Sequence, residues 1–229
     1  MKDAYVVLNY TAREQDLASN MNPFLMNYAR MKKTSDEAEE SRGRVFGMND
    51  DEALTKAVQF LQGSLPKKNG ARVKILIGGH GQYNQSGGIV FGGASGVNVG
   101  VPNDELVNDI VRLMQPFGTR GIEWTVNLCV CFAARPTDDH ARAIDRNANV
   151  DTSMAAQVAK GLQRKGIRDF TVKAYFTPVS INNSTGHLEA VSEVNQQHKF
   201  ALLRGEATAQ QRYPRGFDFW KPENQDEAL

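Results

Sequence analysis

Apolar residues recur along this chain in two rhythms, period 2 for strands and about 3.6 for helices. Residues 5–8 are a short β-favouring run, YVVL. Residues 15–31 carry Leu17, Met21, Phe24, Leu25 and Tyr28 near helical spacing. KKTSDEAEESRGR, residues 32–44, is polar and mixed in charge and reads as a solvated loop or a helix end. Asp50 and Asp51 stand where carboxylates suit a helix N-terminus, and EALTKAVQFLQ follows as a helix stopped by Gly63 and Pro66. Residues 72–77 form a strand that runs into the glycine-rich stretch GGHGQYNQSGGIVFGGASGVNVG. A helix beginning at Asp104, DELVNDIVRLM, ends at Pro116 and Gly118. IEWTVNLCVC, residues 122–131, is a strand with few polar breaks, as expected when both faces are buried. A polar loop spans 135–150. TSMAAQVAKGLQRKG is a helix capped at Asp151 or Thr152 and stopped at Gly166, and DFTVKAYFTPV is a strand. The remainder reads as hairpin-like or irregular.

Strands that alternate with helices in this way predict an α/β domain with a mostly parallel central sheet. The 229 residues suffice for one domain with its own core. Composition changes the picture little. At 41% hydrophobic and 23% charged the chain is ordinary globular protein, and a net charge of +1 offers no global field for nucleic acid or a membrane surface. No apolar run is long enough to span a bilayer, and MKDAYVVLNYTAREQ turns polar too quickly for a secretory signal. Cys129 and Cys131 share a face of one strand but diverge poorly for a disulfide, so both are expected as thiols in a reducing compartment.

In parallel sheets function gathers at the carboxyl ends of the strands. KILIGGHGQ places His80 just past one such end, and Cys131 lies just past another, 51 residues on. That separation leaves room for one helical crossover between neighbouring parallel strands. A nucleophilic thiol needs a nearby imidazole, and both must be within reach of a substrate. Glycines around the histidine let a peptide backbone come close, and the Gly81 N–H can help hold a developing oxyanion. Cys129, deeper in the apolar run, reads as a buried small hydrophobe. Other chemistries lack their signatures. No G-x-G-x-x-G opens a helix, no P-loop Lys-Ser/Thr pair is present, and no G-x-S-x-G elbow exists. The histidines at 80, 140, 187 and 198 show no metal-ligand spacing, and there is no C-x-x-C.

ILIGGHG followed by TVNLCVC resembles the paired histidine and cysteine blocks of clan CD cysteine peptidases, the caspase–gingipain–clostripain group. Within that clan the chain is similar to the self-cleaving cysteine protease domains of clostridial glucosylating toxins and multifunctional repeat toxins, which inositol hexakisphosphate switches on. The likeness runs with gaps over residues 74–188. It takes in Phe91-Gly92-Gly93, the acidic helix from Asp104, Val126-Asn127-Leu128 and the turn Asn182 to Gly186. The resemblance implies a caspase-like three-layer α/β/α fold over the whole of residues 1–229, with a β-flap and basic C-terminal segment at about 188–221. His80 becomes the catalytic histidine and Cys131 the nucleophile, with the Gly81 and Cys131 amides forming the oxyanion hole.

The same resemblance makes Lys74 a phosphate-binding lysine. It stands six residues before His80, an even step along a strand and roughly 20 Å at about 3.3 Å per residue. The flap would add Lys199, Arg204, Arg212 and Arg215, with Arg44 contributing from the other side. Between Lys160 and Lys221 the chain carries ten Lys or Arg against five Asp or Glu, and an inositol polyphosphate calls for such charge-assisted donors. The paired arginines that follow the flap turn in the toxin domains are replaced by His187 and Leu188. The expected protein is a peptidase cutting a protein or peptide substrate, and a bacterial toxin or effector acting in host cytosol, free-standing or excised from a larger toxin. Two rivals stand beside it. One is a catalytically silent inositol-phosphate-binding or protein-binding module on the same fold. The other is a peptidase that needs no activator.

Overall fold

The structure, a computed structural model, describes residues 2–13, 42–66, 70–81, 87–91, 98–118, 121–134, 152–175, 178–181, 188–190 and 217–220. The first apolar run is strand β1 (Lys2–Asn9), closed by a single 3-10 turn at Tyr10–Arg13. Strand β2 (Arg42–Gly47) then forms from residues whose charge suggested a loop or helix end. Helix α1 (Ala53–Ser64) begins where the Glu52 N–H donates to the Asp50 carboxylate at 2.9 Å, and it runs through Gly63 before Leu65 and Pro66 end it. Strand β3 (Ala71–Gly78) follows. The glycine-rich stretch contains a short antiparallel hairpin of β4 (Gly88–Phe91) and β5 (Asn98–Pro102).

Helix α2 (Asn103–Met114) has Asp104 and Glu105 in its first turn and Arg112 in its last, the arrangement the helix dipole favours. Strand β6 (Glu123–Cys129) stops two residues before Cys131. Helix α3 (Met154–Arg164) is capped by Ser153, whose Oγ accepts the Ala156 N–H at 3.2 Å, rather than by Asp151 or Thr152. The last long apolar run divides into β7 (Phe170–Ala174) and β8 (Val179–Ile181), and β8 pairs antiparallel with β9 (Leu188–Ala190). Strand β10 (Phe217–Trp220) lies antiparallel on β7.

The central sheet has the order β10-β7-β6-β3-β1-β2, and its five strands from β7 to β2 are parallel. The chain is therefore an α/β domain with a mostly parallel sheet flanked by helices, as the alternation of periods implies. The three described helices pack on one face. Leu54, Ala57 and Leu61 of α1, Leu106, Ile110 and Leu113 of α2, and Val158, Ala159 and Leu162 of α3 join Val6, Leu8, Val73, Ile75, Ile77, Val126, Leu128 and Val172 in one buried cluster. Gly161 brings α3 against α2 so closely that a Cβ there would sit 2.7 Å from Val107. The expected helix at 15–31 and the flap residues 191–216 lie outside the described residues.

The opposite face is divided. Towards the carboxyl ends, Val7, Leu76, Cys129, Tyr175 and Val179 form a second buried cluster. Towards the amino ends, the same face carries Arg72 and Lys74 on β3, Thr125 on β6 and Thr171 on β7, and Lys173 on β7 stands level with Leu76, all five basic or hydroxylic residues being exposed or half-buried.

A buried polar network ties the end of β1 to α2. Tyr10 donates from its hydroxyl to Asp109 Oδ2 at 2.8 Å. Arg13 lies over the Tyr10 ring, donates to the Met48 carbonyl at 2.7 Å and pairs with Glu105. Burial pushes the Tyr10 phenol up, and the neighbouring Asp109 charge adds to it. Burial also raises the Asp109 carboxyl, against the lowering pull of Tyr10, Arg13 and Arg112. Tyr10→Phe leaves that carboxyl without its donor and lowers unfolding free energy by about 1–3 kcal/mol, measured by urea denaturation. Because the native Asp109 value is raised, the stability it contributes is complete below about pH 4, the unfolded value. It is lost as pH rises through the native one. Asp109→Asn therefore flattens the fall in urea midpoint above pH 4.

Candidate active site

Every residue pair between β3 and β6 has the same sequence offset, from Arg72 with Glu123 to Gly78 with Cys129. That offset is 51, the separation of His80 from Cys131. His80 and Cys131 therefore each stand two residues past the last pair of adjacent parallel strands, His80 bridged to Val90 and Cys131 in a turn. The ladder persists beyond the strands, with the Gly79 N–H directed at the Cys129 carbonyl at 3.4 Å. The crossover between the two strands holds α2, together with the β4–β5 hairpin.

Gly81 makes the closest contact between the two loops. A Cβ built on it would sit 2.0 Å from the Cys131 carbonyl oxygen and 2.7 Å from Val130 Cγ1. No other residue type fits there. On its other side the histidine segment is held by the hairpin, where Val90 donates its N–H to the His80 carbonyl at 3.0 Å. Ile89 fills the space beside Gly79. His80, Gly81 and Cys131 are each half-buried. His80 and Cys131 thus follow the ends of adjacent parallel strands, and the Gly81 N–H makes no hydrogen bond among the described residues.

The two cysteines are not joined by a disulfide and differ in environment. Cys129 is fully buried, and burial, then the nearby Cys131 charge, pushes its thiol well above the ordinary range. It stays a protonated, inert part of the second cluster. Cys131 packs only its inner side on that cluster. It lies in a turn beyond the strand, not within it, because Phe132 adopts a positive φ of 61° and reverses the chain.

Of the residues expected to bind polyphosphate, Lys74 projects from the face opposite the helices, its Nζ 5.5 Å from the centre of the Tyr5 ring. Arg44 does not join it. Arg44 pairs in register with Val6, on the helix-bearing face, and its guanidinium lies 5.5 Å from the Phe46 ring centre. Strand alternation thus places Arg44 and Lys74 on opposite faces of the sheet. Lys199, Arg204, Arg212 and Arg215 lie outside the described residues. The structure adds Lys173, in register with Asn127, on the face of Lys74. Alternation in FTVKA, with Phe170, Val172 and Ala174 inward, is the signal that would have found it. Asn127 is buried, and among the described residues its side-chain oxygen has no hydrogen-bond partner.

Among the described residues no group of three His, Cys, Asp or Glu could hold a metal, and no helix is long and apolar enough to cross a membrane. An open groove of about 330 Å³ runs between α1 and α2, but Arg112 is its only charged lining residue and it holds neither thiol nor imidazole. The chain matches no protein-family model and no curated protein.

The contrast between the thiols gives a direct expectation. Iodoacetamide adds one equivalent to the native protein and two after denaturation, and native Cys131→Ser takes up none, as read by intact mass. Gly81→Ala forces the two loops apart and slows labelling of Cys131 at least tenfold, or costs a few kcal/mol in the thermal melt, as overpacking does.

Proposed function

We propose that this chain is a cysteine endopeptidase of caspase-like, three-layer type working through a His80–Cys131 dyad. The observation that carries the reading is the common β3–β6 offset, equal to the separation of His80 from Cys131, together with the approach of Gly81 to the Cys131 carbonyl. A thiol and an imidazole following adjacent ends of a parallel sheet, with glycine backbone beside them, suit acyl transfer. Cys131 attacks the scissile carbonyl, and the N–H groups of Gly81 and Cys131 receive the oxyanion. His80 protonates the leaving amine, then takes a proton from the water that hydrolyses the acyl-enzyme.

We further infer an activator, inositol hexakisphosphate, and with it a bacterial toxin or effector acting in host cytosol, where that ligand is plentiful. The donor set supports it. Lys74 and Lys173 stand on one sheet face, with Thr125, Thr171 and the buried Asn127 amide between them. Two strands and two residues apart, their backbones are roughly 12 Å from each other, a span two lysine side chains close around one polyanion. When bound, the polyphosphate supplies dense negative charge to which these cations donate. Lys199, Arg204, Arg212 and Arg215 are the further ligands proposed from the sequence. The basic half of the face lies several residues from the thiol, so the ligand acts on the site from a distance, by differential affinity for the competent state.

A peptide-based thiol probe tests both parts. Labelling of Cys131 that rises at least tenfold with inositol hexakisphosphate, and vanishes in Cys131→Ala and His80→Ala, is the expected result. Labelling unaffected by the polyphosphate removes the activator and leaves the peptidase, whereas loss of His80 without effect removes the dyad. Lys74→Glu and Lys173→Glu each raise the polyphosphate concentration needed by about tenfold or more, the effect of one charge-assisted contact.

A further inference from the structure

Cys131 sits at the second position of a four-residue turn, Val130 to Ala133, closed by the Ala133 N–H donating to the Val130 carbonyl at 3.3 Å. Phe132 occupies the third position at φ 61°. The other described non-glycine residue with positive φ is Asp169, so Cys131 itself has negative φ. Negative φ followed by positive φ defines a type II turn, in which the third position is ordinarily glycine or asparagine. An aromatic residue in the left-handed region is an outlier that persists only where its surroundings over-determine it. They do so here. Ala134 donates its N–H to the Tyr175 carbonyl at 3.0 Å, at the end of β7, and Ala155 in the first turn of α3 donates to the Ala133 carbonyl at 2.9 Å. The residues after the turn are bolted to a strand and a helix, and Phe132 absorbs the change of direction.

We infer that Phe132 is a positioning residue whose left-handed backbone, rather than its ring, sets the thiol of Cys131 against the histidine loop. The inference rests on Cys131 being the nucleophile proposed above. The physical reason is the peptide between Cys131 and Phe132. Passing from a type II to a type I turn changes ψ of the second residue by about 150° and φ of the third by about 170°, which turns that peptide over. In the observed form the Cys131 carbonyl lies against Gly81, at the distance that excludes any Cβ. With Phe132 in the right-handed region that oxygen leaves Gly81 and the Phe132 N–H takes its place. The contact that registers the two loops is lost while the strands below remain paired. A sequence written for stability alone would place glycine at position 132. The strained residue stores a backbone geometry at the reacting thiol.

Iodoacetamide labelling of Cys131 as a function of pH tests this in the full chain, with circular dichroism and thermal melts confirming the fold. Phe132→Gly, Phe132→Asn and Phe132→Ala all delete the ring; Gly and Asn tolerate positive φ, and Ala keeps the Cβ and the left-handed penalty that Phe already carries. All three are expected within threefold of the parent rate, with the same pH midpoint. Phe132→Val, whose β-branch makes the left-handed region costlier still, is expected at least about fivefold slower where it folds, with its midpoint displaced. A folded Val variant at the parent rate, or Gly, Asn and Ala variants all slowed fivefold or more, overturns the inference, because the first takes the role from the backbone and the second gives it to the ring. A His80→Ala protein run alongside separates the two ideas. An unchanged midpoint there sinks the dyad, and the Val-against-Ala ordering still stands or falls by itself.

Discussion

Gly81 lies so near the carbonyl of Cys131 that a β-carbon would stand 2.0 Å from the oxygen, and that approach exists because β3 and β6 pair in parallel at one constant offset. Parallel pairing fixes two loops at the same edge of the sheet, so residues from either side of a long crossover become neighbours without any covalent or ionic tether. The apolar cluster of Val7, Leu76, Cys129, Tyr175 and Val179 lies beneath this edge and keeps the loops from sinking into the interior. The hairpin of β4 and β5 supports the histidine side, and the hydrogen bonds from Ala134 and Ala155 support the cysteine side. Geometry at the site is thus a property of the sheet, with each loop held at its base by backbone.

Elements with a strong period and a buried stripe could be read from the sequence. Strands β3 and β6 and helices α1 to α3 appear within a few residues of their expected places, since alternation or helical spacing was long enough to count. Strand β2 could not be read this way. RGRVFG offers two arginines and two glycines, and it is a strand because β1 presents it with a ladder, with Phe46 reaching the core. The β4–β5 hairpin was hidden by glycine, which carries no periodic signal. Its apolar residues Ile89 and Val101 matter only when seen filling space beside Gly79. At 151–153 three capping residues stand in a row, and only backbone geometry selects Ser153.

Spacing alone anticipated that the segments of His80 and Cys131 follow neighbouring parallel strands, since the β3–β6 offset equals their separation. The candidate site was not legible at Phe132, because a left-handed backbone is announced in sequence by glycine or asparagine and here by neither. Nor was the separation of Arg44 from Lys74 legible, since β2 itself was unrecognised and the face of a strand follows from its register. The two halves of the open sheet face follow the same logic. The carboxyl half closes over Cys129 with apolar residues, whereas Arg72, Lys74, Thr125 and Thr171 towards the amino ends keep at least part of their surface exposed.

Strand β2 borders the sheet with one side of its backbone unpaired among the described strands. An edge strand in general is a template on which another chain can extend the ladder, and repeated extension leads to fibrils. The β2 glycines at 43 and 47 and the exposed guanidinium of Arg44 make the edge a poor template, short in β-propensity and charged where a second copy would have to dock. The residues that conceal β2 from a sequence reading are the ones that protect the folded protein from self-assembly, so neutralising Arg44 trades solubility for a strand that is easier to recognise.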